Sequence, residues 1–215
     1  MPRSDVRADL RADLLAALVA FDEDRVVELL DGERDRRGVT AVVRDLLLPV
    51  MREVGLGWER AEVSVAQEHL ATQVVRAYLG GLGSSLRVGD GPQVWLACPP
   101  RELHDLPLLA FGVLLRERGW RVRFFGASTP LHDLLRTMRL HHPEVVVVSA
   151  DSPARLRASS VVLDLIAGET TLALGGRAAE VAGAELSGVV LPADVVLAAD
   201  RLKELLPPAE PASTG

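Results

Sequence analysis

Up to about residue 79, apolar residues recur every three or four positions, which is the spacing of one face of an α-helix. Short polar stretches such as 31–38 separate four groups of this kind, and connections of this length favour an antiparallel bundle. The groups are Leu10–Val19, Val26–Leu30, Val42–Met51 and Val63–Ala77. The pattern therefore predicts an all-α domain, a four-helix bundle that spans residues 1–82.

The fourth predicted helix has two contrasting faces. We predict that its apolar face packs into the bundle core, and that face carries Ala66, Leu70, Val74 and Ala77. The other face mixes polar and apolar residues, as a wall over a bound ligand would, although a solvated helix face can have the same composition. It carries Val65, Glu68, His69 and Thr72. Trp58 is predicted to lie in the break before this helix.

The rhythm of the chain changes after a stretch rich in Gly and Ser that ends at Pro92 and predicts a linker at 83–92. Beyond it, short apolar runs alternate with helical segments, which predicts a parallel sheet covered by helices on both faces. The strands are predicted at Val94–Cys98, Val122–Phe125, Val145–Ser149, Thr171–Leu174 and Val189–Leu191. The helices are predicted at Leu106–Arg118, Leu131–Leu140, Ala154–Ala167, Arg177–Ala184 and Asp194–Leu205.

The predicted fold class is thus α/β plus all-α, with a five-stranded, flavodoxin-like (Rossmann-like) domain over residues 93–206 and a disordered tail over 207–215. Ligands of such sheets bind beyond the carboxyl ends of the strands. Glu102–His104, Ser149 and Gly175–Gly176 all lie at that predicted edge.

Composition narrows the classes of function. The chain has 215 residues, a net charge of −6, and basic residues interleaved with acidic ones, which argues against a nucleic-acid surface. One cysteine, Cys98, excludes an internal disulfide. We find neither a signal peptide nor an apolar run long enough to span a membrane, so we expect a cytoplasmic protein.

The sequence Glu102-Leu103-His104 is the strongest candidate for chemistry. A histidine at the carboxyl edge of a sheet can offer one ring nitrogen to a metal while a nearby carboxylate holds the other. The alternative is a surface histidine beside a surface glutamate. Gly175-Gly176 allows either close approach of a ligand or a tight turn. His132, His141 and His142 are most simply surface residues at helix ends. We find no dinucleotide fingerprint, phosphate-binding loop or catalytic triad.

Taken together, these residues resemble the cobalamin-binding light sensors, a family that includes light-sensing regulators of the MerR type. That family carries in its cap a Trp, nine residues, then Glu-His, which is matched here by Trp58 and Glu68-His69. Its sheet domain carries an acid-x-His-x-x-Gly loop, then a Ser and a Gly-Gly. The corresponding residues are 102–107, Ser149 and Gly175-Gly176, and the stretch 126–130 is also typical. The resemblance spans roughly residues 10–205.

The resemblance implies adenosylcobalamin as the cofactor, with His104 as the lower axial ligand of cobalt in place of the displaced dimethylbenzimidazole. Glu102 would orient His104, and the tail would lie in a slot lined by Ser149, Gly175 and Gly176. Asp105 and Thr129 are further implied cofactor contacts. The residues implied above the corrin are Trp58, Val65, Glu68 and His69. Light would break the cobalt–carbon bond and rearrange the cap, so we expect a sensor and not an enzyme.

The sequence departs from the family pattern at two positions. Pro107 stands where the loop has a Gly, and it could instead begin the following helix. Glu59 follows Trp58 where relatives that regulate genes often have a His that captures cobalt after photolysis. The chain also lacks the DNA-binding domain of those regulators, and so resembles the stand-alone photocobilins. We therefore expect output through a homo-oligomer or an effector protein, without direct DNA or membrane contact. Photocobilins bind a bilin such as biliverdin beside the cobalamin, and the residues of this chain neither require nor exclude a non-covalent bilin as a second chromophore.

Two other functions stay open. A corrinoid carrier for a methyltransferase also pairs a helical bundle with this kind of sheet domain, although Trp58 over the cobalt would hinder access by partner enzymes. A cobalamin-free binding module that kept the fold is the other alternative. Pro107 favours it, and Glu102 and His104 speak against it.

Overall fold

The computed structural model of the chain describes residues 3–86 and 90–206. Within these residues the chain forms two compact units. The helical unit runs to Gly91 and includes Leu106–Val122, whereas the sheet unit comprises Pro92–Asp105 and the residues from Arg123 onward. Helices followed by a five-stranded sheet confirm the predicted fold class. The predicted tail at 207–215 and residues 87–89 of the predicted linker lie outside the described residues.

The helical unit buries a leucine- and valine-rich core between its helices. Leu14, Leu30, Val42, Leu47 and Val54 are among the fully enclosed side chains. The helices are α1 (Arg3–Val19), α2 (Glu23–Arg37), α3 (Val39–Ala41), α4 (Leu48–Glu59), α5 (Val65–Ser85) and α6 (Leu106–Glu117). The chain passes from α3 to α4 through a π-helical segment, Val42–Leu47, so that α3, this segment and α4 replace the single third helix of the prediction. Trp58 lies in the last turn of α4 and not in the following break.

The core-facing side of α5 differs from the prediction. Its buried residues are Ala71, Val75, Leu79, Leu82 and Gly83. The predicted core stripe of Ala66, Leu70, Val74 and Ala77 is exposed or half-buried. Ala71 and Val75 each directly follow a residue of the predicted stripe, so the buried and the predicted stripes are adjacent on the helix.

The end of α5 also corrects the predicted linker. The helix continues through Ser85, so the glycines and serines before residue 86 are helical. Gly83 allows α6 to pack closely, since a Cβ at this position would lie 3.5 Å from Cγ2 of Val113. Arg116 of α6 donates a hydrogen bond to the Gly83 carbonyl at 3.3 Å. By its contacts α6 therefore belongs to the helical unit, although the prediction assigned it to the sheet domain.

The sheet has the strand order β2-β1-β3-β4-β5. The strands are β1 (Gln93–Ala97), β2 (Arg121–Gly126), β3 (Val145–Ser149), β4 (Thr171–Gly175) and β5 (Val189–Val190). β3 pairs in parallel with β1 and with β4, so the carboxyl ends of β1, β3 and β4 meet at one edge. Alternate residues of these strands, including Trp95, Val146 and Leu172, form one apolar core with the helices packed on that face.

The helices of the sheet unit follow the predicted order with one break. They are α7 (Leu131–His141), α8 (Pro153–Ala158), α9 (Ser160–Ala167), α10 (Arg177–Ala182) and α11 (Val195–Glu204). The single helix predicted over 154–167 is divided at Ser159, whose hydroxyl bonds the Arg155 carbonyl at 3.0 Å. A hydroxyl bound to the carbonyl four residues back is a known cause of helix bending.

Across residues 3–86 and 90–206, none of the helices combines the length and the apolar character required to cross a membrane.

The corrected face of α5 predicts different costs for two leucines of the same helix. Leu79→Ala should lower the free energy of unfolding by about 2–5 kcal/mol, because Leu79 is fully buried and its removal leaves a cavity. Leu70→Ala should cost about 1 kcal/mol or less, since Leu70 is only half-buried. Denaturant unfolding of the two variants measures this difference. A larger loss of unfolding free energy for Leu70→Ala than for Leu79→Ala would indicate that the predicted face, and not the observed one, packs into the core.

Candidate functional site

The loop after β1 is held by backbone hydrogen bonds to the segment that follows β2. The N–H of Cys98 donates to the Gly126 carbonyl at 2.9 Å, and the N–H of Thr129 donates to the Cys98 carbonyl at 2.9 Å. Further along, the N–H of Ser128 donates to the Glu102 carbonyl at 2.8 Å. The loop that carries Glu102 and His104 is therefore a fixed part of the sheet edge.

Glu102 is completely buried, and its carboxylate is surrounded by donors. Oε1 accepts from the backbone N–H of His104 at 3.0 Å and lies 2.8 Å from Nδ1 of the same residue. Oε2 accepts from the backbone N–H groups of Asp151 at 3.0 Å and Ser152 at 3.3 Å, and from Nη1 of Arg155 at 3.0 Å. Each carboxylate oxygen thus has partners supplied by a different segment of the chain.

These donors decide the charge of Glu102. Burial alone would raise the pKa of its carboxyl group, but hydrogen bonds from the backbone and ring of His104, from Arg155 and from the Asp151 backbone lower the pKa to about 2. Glu102 is therefore an anion at neutral pH and can only accept hydrogen bonds. It follows that Nδ1 of His104 carries the hydrogen of this contact.

His104 presents the rest of its ring outward, since 69% of its side chain is exposed. With the hydrogen on Nδ1 of the neutral ring, Nε2 retains a free lone pair. A carboxylate that holds one ring nitrogen fixes the tautomer and increases the basicity of the other nitrogen, which is the usual support of a metal-bound histidine. The geometry therefore leaves Nε2 of His104 available as a metal donor.

Asp105 and Thr129, predicted as cofactor contacts, are both buried. Asp105 accepts a hydrogen bond from the Ala127 N–H at 3.1 Å, and the Thr129 hydroxyl donates to the Gly126 carbonyl at 3.0 Å. Both side chains therefore stabilise the two loops at the sheet edge. A contact of either residue with a ligand stays a prediction.

Ser149, Gly175 and Gly176 are neighbours at the carboxyl ends of β3 and β4, where Ser149 pairs with Gly175. A Cβ at Gly175 would meet the Ser149 hydroxyl at 3.6 Å, an ordinary contact. Gly176 has φ of +79°, and a Cβ there would collide with the Ala150 carbonyl oxygen. The fold thus requires a glycine at 176 but not at 175, where the absent side chain leaves room beside Ser149.

The remaining predicted residues belong to the helical unit. Trp58 and Val65 are half or more exposed, which is unusual for such large apolar side chains. Glu68 accepts from the Thr72 hydroxyl at 3.0 Å and lies 3.0 Å from Nδ1 of His69. These residues are accessible for contact with a ligand, and their role above a corrin stays a prediction.

Pro107 occupies the second residue of α6, where the first helical turn needs no donor from its nitrogen. The alternative that it begins the following helix is therefore confirmed, and the hydrogen bonds of Glu102 and His104 are intact beside it.

Arg155 is the contact that the sequence did not reveal. It lies 53 positions after Glu102, in the short helix that follows β3. No local pattern in the sequence indicated this contact, because the burial of Glu102, which favours a nearby cation, becomes visible only in the structure.

Comparison with known proteins agrees with this arrangement. Two family models, each described as a B12 binding domain, match residues 10–82 and 92–203. The chain belongs to the B12-binding family. The cofactor implied by this family is a cobalamin or a related corrinoid.

The curated relatives include two repressors from Myxococcus xanthus. The HTH-type transcriptional repressor CarA is 35% identical over 131 residues, and the HTH-type transcriptional repressor CarH is 36% identical over 133 residues. These matches cover 60% and 62% of this chain, but the chain spans only 44% of the length of each repressor.

Among solved structures, the monomethylamine corrinoid protein of Methanosarcina barkeri has a similar fold, with a TM-score of 0.74 and 15% identity. The similarity covers 93% of this chain and 99% of that protein, and at this identity it concerns the fold alone.

The residues of the site fit a corrinoid. A corrin ring would itself hold the cobalt, so the protein would need to contribute only one further donor, and His104 could offer it from a ring held by Glu102. At Gly175 the absent side chain leaves the Ser149 hydroxyl uncovered on that side.

The low pKa of Glu102 predicts a pH-dependent contribution to stability. The group ionises more readily in the folded chain, so its contribution is complete above the unfolded pKa of 4.5 and is lost as pH falls towards about 2. The stability difference between wild type and Glu102→Gln should therefore narrow by about 3 kcal/mol between pH 5 and pH 2. Denaturant unfolding across this range measures it, and a constant difference would contradict the ionised, hydrogen-bonded carboxylate.

The two glycines predict opposite outcomes. Gly176→Ala should cost about 1–3 kcal/mol of stability because of its positive φ and the collision with Ala150. Gly175→Ala should change stability by about 0.5 kcal/mol or less, yet weaken binding of cobalamin without weakening binding of cobinamide, which has no nucleotide tail. Unfolding and spectroscopic titrations test both, and equal weakening for the two corrinoids would remove Gly175 from a tail slot.

Proposed function

We propose that this protein is a light sensor that binds adenosylcobalamin. The dimethylbenzimidazole base of the cofactor would be displaced, and His104 would be the lower axial ligand of cobalt. The observation that carries the proposal is the pair formed by the exposed His104 ring and the buried, ionised Glu102, 2.8 Å apart at the edge of the sheet. Membership of the B12-binding family supports the cofactor. When bound, adenosylcobalamin would supply a cobalt–carbon bond that light breaks.

The residues of the sheet unit account for binding and orientation. Glu102 holds the His104 ring with Nε2 directed away from the carboxylate, and Ser149 and Gly175 would accept the displaced tail. The loop hydrogen bonds of Cys98 and Ser128 fix the position of this edge. The axial ligand is thus prepared before the cofactor binds, which reduces the entropy that binding must remove.

The residues that favour light sensing over other functions of a corrinoid protein lie in the helical unit. Trp58 and Glu68-His69 have the spacing of the light-sensor cap, and the exposure of Trp58 leaves its ring available to cover a ligand. We propose that Trp58, Val65, Glu68 and His69 cover the upper face of the corrin. Loss of the upper group of the cofactor would then alter the surface on which these side chains rest.

The signal would pass from the helical unit to an effector protein or to a second copy of the chain. The π-helical segment Val42–Leu47 lies in the middle of this unit, and such segments are frequent at functional sites. The two curated relatives are transcriptional repressors, which supports a regulatory output of some kind.

A bilin is proposed as a second chromophore. Cys98 is fully buried, so its thiol is not available for attachment and the bilin would be held non-covalently. A red-absorbing species that forms when biliverdin is added to the purified protein would support this part of the proposal. Free biliverdin after gel filtration would contradict it.

The proposal predicts a cofactor spectrum that depends on one histidine. The full chain, loaded with adenosylcobalamin in the dark, should show a base-off, histidine-ligated spectrum that changes after green light. His104→Ala should lose the histidine-ligated spectrum because Nε2 is absent. The control is His132→Ala, which removes an exposed ring on α7 and should leave the spectrum unchanged.

Each alternative gives a different result in the same experiment. Stable uptake without any spectral change in light would contradict the sensor. Methylation of the protein loaded with reduced cob(I)alamin, by a methyltransferase and its methyl donor, would then indicate a corrinoid carrier. No uptake of cobalamin would indicate a binding module that has kept only the fold. Retention of the histidine-ligated spectrum by His104→Ala would identify another histidine as the ligand.

A further inference from the structure

Arg155 contacts the buried side of the Glu102 carboxylate, opposite the oxygen that holds His104. We propose that Arg155 is a positioning residue that locks this carboxylate and thereby sets the ring orientation and tautomer of His104 before a cofactor binds. The inference rests on the proposed function only for the identity of what His104 ligates. In the cofactor-free protein, the orientation and tautomer of the His104 ring depend only on the protein's own side chains.

The Glu102 carboxylate and the Arg155 guanidinium that contacts it differ in their exposure to solvent. Glu102 is completely enclosed, whereas 37% of the Arg155 side chain is exposed. Breaking a buried ion pair by removing one partner leaves an uncompensated charge, which is strongly unfavourable. The Arg155 guanidinium, 3.0 Å from Oε2, therefore places a cation directly against the buried carboxylate.

The two carboxylate oxygens of Glu102 accept hydrogen bonds from different donors. Oε2 accepts from Arg155 and from the N–H groups of Asp151 and Ser152, whereas Oε1 accepts from the backbone and ring of His104. Rotation of the carboxylate would break contacts on both sides at once. As long as Arg155 holds Oε2, Oε1 faces Nδ1 of His104, and the free lone pair remains on Nε2.

The segment that carries Arg155 makes hydrogen bonds and ion contacts of its own. The break between α8 and α9 places the Ser159 hydroxyl 3.0 Å from the Arg155 carbonyl, which ties the Arg155 backbone to the end of its own short helix. Asp151, whose N–H bonds Oε2, lies with its carboxylate 3.7 Å from Nε of Arg177. The segment after β3 that contacts Glu102 is thus tied to its own helix by the Ser159 hydroxyl.

The test uses the full chain labelled with [15N]histidine and free of cofactor, with the His104 ring assigned from His104→Gln. Wild type should show one tautomer with the hydrogen on Nδ1. Arg155→Met removes the cation and its donors, so the His104 signals should shift towards a mixture of tautomers. Binding of hydroxocobalamin should weaken by about 10-fold, the lower end of the effect of residues that orient metal ligands.

The matched control is Arg157→Met on the same helix, which breaks the surface ion pair between Arg157 and Glu185 and should leave the His104 signals unchanged. If Arg155→Met does not fold, Arg155→Lys decides. Lysine at this position keeps the positive charge but lacks the planar guanidinium, so the His104 ring signals should shift only part of the way towards a mixture of tautomers.

Wild-type ring signals in the folded Arg155→Met variant, or in Arg155→Lys where that variant decides, would overturn the inference. If wild-type protein does not take up cobalamin while Arg155→Met still disorders the ring, the proposed function fails and the positioning role stands.

Discussion

The structure of the candidate site depends on one constraint, the satisfaction of a carboxylate that water does not reach. The Glu102 carboxylate accepts hydrogen bonds from His104 in its own loop and from Asp151 and Ser152 after β3, and the Glu102 backbone carbonyl accepts one from Ser128 after β2. A buried carboxylate without such partners would be costly or would bind a proton. The three loops are therefore held together by the same residue that fixes the imidazole, so fold and site share one cause.

Much of the sheet unit could be predicted because its strands are short, apolar and regularly spaced. The run at Val145–Ser149 coincides with β3, and the predicted strand at Thr171–Leu174 extends by one residue to Gly175. Once the strands are known to be parallel, their carboxyl ends must meet at one edge. That rule alone brought Glu102, Ser149 and Gly176 together before any contact was known.

Other features could not be read from local patterns. α5 carries two adjacent apolar stripes, and only the packing of the other helices selects the one that contains Val75 and Leu79. The contact between Arg155 and Glu102 spans 53 positions, and neither residue has a periodicity that marks it as buried or paired. The break at Ser159, which anchors Arg155, depends on one side-chain hydrogen bond inside an otherwise helical sequence.

The chain contains two neighbouring pairs of glutamate and histidine, and burial separates their roles. In Glu68-His69 both side chains are reached by solvent, with 31% and 73% exposed, so the contact is screened and the histidine can turn away at little cost. In Glu102–His104 the glutamate has no exposure and is held by Arg155, while the histidine ring is open on its far side. A ligand to a metal needs a fixed ring with one free nitrogen, and only the second pair supplies both. The proposed role of His104 as an axial donor therefore rests on the environment of Glu102 more than on the histidine itself.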